Sequence, residues 1–220
     1  MVTFAELTGR ARALTDGHRR AVLGITGCPG AGKTTLAERL VRALAPAPPP
    51  GAPVGDWVAQ VPMDGFHLAD AELDRLHRRD RKGAPDTFDA AGYAALLRRL
   101  AEDSGEIVYA PGFERTLEQP IAGRIPVHPT VRLVITEGNY LLLPDGDWSR
   151  VQRYLDETWY ADLDRDERLR RLVARHIRYG KSPAAALAWA TGTDERNAAL
   201  IETTRPRATL VVGMHGGGPG

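Results

Sequence analysis

Gly27-Cys28-Pro29-Gly30-Ala31-Gly32-Lys33-Thr34 fits the phosphate-loop pattern G-x-x-x-x-G-K-[ST] without a gap. The apolar run before it, Ala21-Val22-Leu23-Gly24-Ile25-Thr26, has the length of a strand. After it, Leu36, Leu40, Val41 and Leu44 recur at helical spacing. Strand, glycine loop and helix in that order turn a string match into a physical site. Glycines let the backbone turn tightly and aim several N–H groups at one point. The following helix adds its positive N-terminal end. Gly27, Gly30, Ala31, Gly32, Lys33, Thr34 and Thr35 are therefore the expected cradle of a nucleotide polyphosphate. Lys33 is placed to reach the β- and γ-phosphates, and the Thr34 hydroxyl to ligate Mg²⁺.

Around this stretch the chain is 220 residues long and 43% hydrophobic, enough for one sizeable α/β core and too little for two full domains. Charges nearly cancel, 29 Lys+Arg against 28 Asp+Glu, which argues against a general nucleic-acid or membrane-surface binder. A single cysteine, Cys28, excludes an internal disulfide and suits a reducing compartment. Its place inside the loop reads as a small filler facing away from the phosphates. The histidines show no metal-ligand spacing, so no structural zinc is expected. No apolar run approaches the roughly 20 residues that span a bilayer, and residues 1–20 lack the apolar centre of a signal peptide. The expectation is a cytoplasmic protein, with a homodimer left open.

Strand-like runs at 57–62, 107–110, 131–136, 157–162 and 208–212 alternate with helical patterns at 70–77, 88–102, 148–155, 166–179, 182–191 and 194–203. An amphipathic helix over 3–15 leads the chain and is expected to cover the sheet. The proline-rich segment 45–53 stops the loop-following helix, and 111–129 reads as an extended excursion or hairpin. The alternation predicts an α/β three-layer sandwich, a mostly parallel central sheet with helices on both faces. One domain over 1–214 and a flexible tail over 215–220 are expected.

The reaction must be read from other groups. Asp64 follows the second strand, where ligands bind in open α/β sheets. It could take the proton of an acceptor hydroxyl, hold Mg²⁺ through water, or simply cap the next helix. Glu137 ends the most apolar strand, where phosphate-loop proteins carry an acidic residue for the Mg²⁺ shell; the alternative is an exposed loop glutamate. Arg168, Arg171 and Arg175 are spaced i, i+3, i+7 on one helix face. They could close over polyphosphate or form a solvated face. His67, Tyr109 and Arg115 are candidate acceptor contacts, and 197–206 is the segment expected beside the nucleotide base.

The chain resembles the uridine kinase, phosphoribulokinase and pantothenate kinase group of phosphate-loop kinases. The resemblance rests on 27–34, on Met63-Asp64-Gly65-Phe66-His67-Leu68, on Thr136-Glu137-Gly138-Asn139-Tyr140-Leu141 and on 166–171. With residues 81–89, Arg-Lys-Gly-Ala-Pro-Asp-Thr-Phe-Asp, it looks closest to a bacterial nucleoside/nucleotide kinase-like, or fructose-transport-system kinase-like, branch. It departs from uridine kinases, which show Asp-Ser-Phe-Tyr where this chain has Asp64-Gly65-Phe66-His67. The resemblance implies Asp64 as catalytic base, Glu137 assisting Mg²⁺ or the acceptor, and an arginine-bearing lid helix. It implies a kinase that moves the ATP γ-phosphate to a hydroxyl of a small metabolite, a nucleoside, sugar or pantothenate-like alcohol. A nucleotide-hydrolysing regulatory protein acting through a partner is the alternative.

Overall fold

The computed structural model describes residues 2–17 and 19–214, so the expected tail at 215–220 lies outside the described residues. After the first helix, α1 (Phe4–Ala13), strand β1 (Ala21–Thr26) leads through the phosphate loop into α2 (Lys33–Leu44). Strand β2 (Val58–Pro62) is followed by α3 (Asp70–Arg75) and α4 (Ala90–Glu102). Then come β3 (Val108–Glu114), β4 (Gln119–Val127), β5 (Leu133–Glu137) and β6 (Glu157–Asp162). The chain continues through α5 (Arg165–Arg178), α6 (Pro183–Trp189), α7 (Glu195–Glu202) and β7 (Leu210–Gly213).

Five strands pair in the order β2-β5-β1-β6-β7, and every pairing is parallel. The fold is thus the expected three-layer α/β sandwich. Successive residues of a strand point to opposite faces, and β1 shows it. Leu23 and Ile25 pack with Leu36, Leu40 and Leu44 of α2 and with Leu7 and Ala11 of α1, so the leading helix does cover the sheet. Val22 packs on the other face with Tyr93, Leu97 and Leu100 of α4 and with Ile201 of α7. Covering on both sides explains why β5 is buried at all five positions.

The run at 107–110 departs from the expected alternation. It forms a strand, but β3 pairs antiparallel with β4 in a separate two-stranded sheet. Pro111, Pro120 and Pro126 cannot donate to a ladder, so neither strand suits a position paired on both sides. The hairpin instead packs over the turn after β2. Gly65 is the joint: a Cβ there would stand 2.3 Å from the Pro111 carbonyl oxygen. The absence of a side chain lets the hairpin backbone close down beside Asp64. The helices expected at 182–191 and 194–203 are α6 and α7, but no break separates them: a π-helical turn at Ala190–Asp194 runs through the expected gap and joins them.

Candidate active site

Parallel strands bring their carboxyl ends to one edge. Glu137, the last residue of β5, is in register with Ile25 of β1 and Pro62 of β2. Three functional segments therefore start from neighbouring points: the loop after β1, Asp64 two residues beyond β2, and Glu137 itself. Gly32 caps α2 in the left-handed region, φ 93°, where a side chain is costly. That turn aims the first N–H groups of a twelve-residue helix at the site.

Lys33 is buried, and its Nζ donates to the carbonyls of Gly27 (2.9 Å) and Cys28 (3.0 Å). Burial lowers its pKa to about 8, against the pull of the Glu137 and Asp64 carboxylates. The Thr34 hydroxyl donates to Glu137 Oε1 at 3.1 Å. Glu137 is 4% exposed. Burial first, and the Asp64 charge second, raise its carboxyl to about 7, while Lys33 and the Thr34 bond act in the opposite sense. A buried carboxylate whose charge Lys33 only partly offsets, beside a hydroxyl and near a second carboxylate, is an oxygen donor set that suits Mg²⁺. Thr34 and Glu137 are the residues that fit such an ion.

The Glu137 shift has a measurable consequence. Its ordinary pKa is 4.5, so the folded protein binds a proton there that the unfolded chain releases. The resulting stability is present below about pH 4.5 and is lost as pH rises through about 7. Urea midpoints taken without divalent cation should therefore fall less from about pH 5 to about pH 8 in Glu137→Gln than in wild type. Parallel declines in the two proteins would remove Glu137 as the source.

Two cavities meet at these residues. One, of about 400 Å³, holds Asp64, His67, Glu137, Asn139 and Asn197. The other, of about 610 Å³, lies between the loop and α5 and is lined by Thr35, Glu38, Arg170, Arg171 and Arg178. Gly30, Lys33, Thr34, Arg115 and Arg175 line both. Arg115 Nη2 stands 3.9 Å from Asp64 Oδ2. His67 Nδ1 is 2.8 Å from the Asp64 carbonyl, and its ring packs on Phe88 and Phe113 with centroids 4.0 and 4.8 Å away. Burial lowers the His67 pKa, so the ring is held neutral.

Not every candidate arrives there. Tyr109 is 57% exposed on β3 and lines neither cavity. The arginines of α5 divide. Arg171 and Arg175 reach the cleft, whereas Arg168 is 2% exposed, donates to the Pro29 carbonyl and pairs with Glu195 of α7. One face of a helix resting on the phosphate loop cannot be all solvent-facing: Gly30 lies against Arg168 and Leu172. Arg168 thus ties loop, α5 and α7 together instead of covering the cleft. Cys28 lies behind the loop, its Sγ 3.3 Å from the Tyr160 hydroxyl. The segment expected beside the base divides as well. Asn197 enters the Asp64 cavity and donates to the Gly83 carbonyl, while Glu202 and Arg205 line a separate pocket by Cys28 and Tyr160. Lys82, Trp189 and the His176–Asp194 pair (2.7 Å) also line the Asp64 cavity. Of these, only Lys82 lies in a stretch that the sequence singles out, residues 81–89.

A strand–loop–helix phosphate cradle, two carboxylates at the same sheet edge and an arginine-bearing helix across the loop define the class: a P-loop kinase. The comparisons agree. No family model matches the chain. It is 33% identical over 180 residues to the putative uridine kinase of Schizosaccharomyces pombe, covering 80% of this chain and 74% of that one. It is 33% identical to the uncharacterized protein YggC of Escherichia coli K12, over 90% of this chain and 79% of the other. Among solved structures, a putative fructose transport system kinase from Silicibacter superposes with a TM-score of 0.83 at 34% identity, covering 96% and 100% of the two chains. The chain belongs to the family of uridine-kinase-like P-loop kinases.

Proposed function

We propose that the protein transfers the γ-phosphoryl group of ATP, with Mg²⁺, to a hydroxyl of a small metabolite. The observation that carries this reading is the meeting of two cavities at Lys33 and Thr34. One cavity, under α5, has the cations that polyphosphate requires. The other has a carboxylate at a strand end, as deprotonation of an alcohol requires. In this reading ATP lies under α5 with its phosphates on the loop. Asp64 accepts the proton of the acceptor hydroxyl. The hydroxyl oxygen bonds to the γ-phosphorus as the bond to the bridging β,γ-oxygen breaks, and ADP leaves. Lys33, Arg171 and Arg175 offset charge on the phosphates, with Arg115 at the junction between the two substrates. Thr34 and Glu137 would hold Mg²⁺, which neutralises phosphate charge when bound. His67, with its neutral ring, forms part of the acceptor wall, and Arg168 supports the loop.

A ³¹P NMR experiment tests transfer against simple hydrolysis. ATP and Mg²⁺ are incubated with the protein and pooled nucleosides, sugars and hydroxy acids with their phosphate esters. A new phosphate-ester signal should grow in step with ADP. Inorganic phosphate released at the same rate with and without the pool would favour the regulatory ATPase and overturn the transfer reading.

A further inference from the structure

The Asp64 cavity carries more positive charge than the phosphoryl donor needs. Arg115 and Arg175 border the cleft under α5 as well, but Arg79, Lys82 and Lys181 border only the Asp64 cavity. Lys82 is largely enclosed, its side chain 13% exposed against 48% for Arg79. Its Nζ donates to Asp70 Oδ1 (2.7 Å) and to the Glu118 carbonyl (2.6 Å). An ammonium group has three donors, so among the described residues one remains. Asp70 also pairs with Arg79 at 2.8 Å, so one carboxylate answers two cations, with the exposed Asp74 at 3.5 Å from Arg79. Lys181 stands over the Trp189 ring at 4.7 Å and has no carboxylate partner among the described residues.

A continuous wall links these cations to the catalytic end. Asp64 adjoins His67, His67 packs on Phe113, and Lys82 Nζ lies 5.7 Å from the Phe113 ring centre. A ligand lying along that wall has its hydroxyl at Asp64 and its other end at Lys82. A neutral ligand would displace water from the Lys82 ammonium and supply no counter-charge, which is costly in an enclosed site. An anionic group would supply it and take the third donor as a charge-assisted hydrogen bond.

We propose that the phosphate acceptor is an anionic alcohol, a hydroxyl compound whose carboxylate or phosphate group is seated on Lys82, with Arg79 and Lys181 adding to the field. This rests on the phosphotransfer reading above for the role of Asp64, but the binding claim is tested apart from turnover.

The protein is first saturated with ADP and Mg²⁺, so that added anions do not occupy the phosphate loop. Thermal midpoints are then recorded with glycerate, glycerol 3-phosphate and ribose 5-phosphate, and with neutral glycerol and ribose. At least one anion should raise the midpoint where its neutral parent does not. Glycerate against glycerol 3-phosphate distinguishes carboxylate from phosphate. The gain should vanish in Lys82→Gln and persist in Lys82→Arg, while all variants keep the midpoint rise caused by ADP itself. Should Lys82→Gln fail to fold, Lys181→Gln carries the comparison and should reduce the same gain. Neutral parents acting as strongly as anions, no anion acting at all, or a gain that survives these glutamine variants would each overturn the proposal. Phosphate transfer confined to neutral alcohols would sink the charge assignment and leave transfer standing, whereas acceptor-independent hydrolysis would sink the transfer reading and the acceptor role with it, leaving only an anion site on Lys82.

Discussion

Asp64→Asn should lower turnover by a factor on the order of 10² or more while leaving nucleotide affinity nearly unchanged. The separation follows from where the side chain sits. Asp64 lies on the 3₁₀ turn Met63–Phe66 after β2, and it lines the acceptor cavity but not the cleft under α5. Asparagine has the same shape and keeps the turn, and Gly65 still admits the hairpin backbone. What is lost is the basicity of the carboxylate: the amide oxygen still accepts a hydrogen bond but cannot take the hydroxyl proton. Loss of the negative charge also removes one of the influences that raise Glu137 and one that holds Lys33 charged. Both shifts make the loop less positive, while the loss of the Asp64 charge itself acts in the opposite direction, so nucleotide binding should change little. Calorimetric titration with ADP and a coupled ADP-release assay with an identified acceptor read the two quantities separately. Turnover close to wild type would remove Asp64 from the role of base. A large loss of ADP affinity with turnover retained would instead make it a metal or phosphate contact.

How much of this could be read from the sequence depends on the range of the forces involved. The loop at 27–34 is local: its glycines, lysine and threonine act through their own backbone, and the flanking strand and helix are adjacent in the chain. Glu137 was legible because a run of apolar residues ending in an acid puts the acid at a strand end, and strand ends share an edge in a parallel sheet. The hairpin was half legible. Its prolines excluded a central strand, yet Val108 and Ala110 alternate like any half-buried strand and gave no sign of their partner. Helix periodicity placed Arg168, Arg171 and Arg175 together, but it could not say that the Arg168 side of the helix would press on the loop and meet Glu195, 27 residues later. In the sequence Lys82 stands out only as part of the stretch 81–89. Its enclosure comes from Asp70 on α3 and Glu118 in the hairpin, two contacts set by the tertiary fold.

Lys33→Ala should impair nucleotide binding and turnover together, in contrast to Asp64→Asn. In the structure the Lys33 ammonium is turned back on the loop's own carbonyls at Gly27 and Cys28. It is held in a setting that disfavours its charge, with a pKa of about 8. A polyphosphate on the loop would add negative charge beside it, favour the protonated form and draw the group onto phosphate oxygen. A charge-assisted hydrogen bond of this kind contributes about 1.5–3 kcal/mol, or roughly 10- to 150-fold in nucleotide affinity. Charge that builds on the phosphates during transfer adds a further turnover loss on the order of 10²-fold. Alanine also takes from Glu137 its buried cation and leaves two loop carbonyls without their donor. Part of the affinity loss would then come from a loosened loop. Lys33→Met separates the two effects: it refills the volume without restoring the charge. If Met recovers ADP affinity, the lysine serves mainly to pack the loop. If both variants bind ADP equally weakly and turn over equally slowly, packing volume is not the cause, and the ammonium group, through its charge and its bonds to the loop carbonyls, is what the site requires.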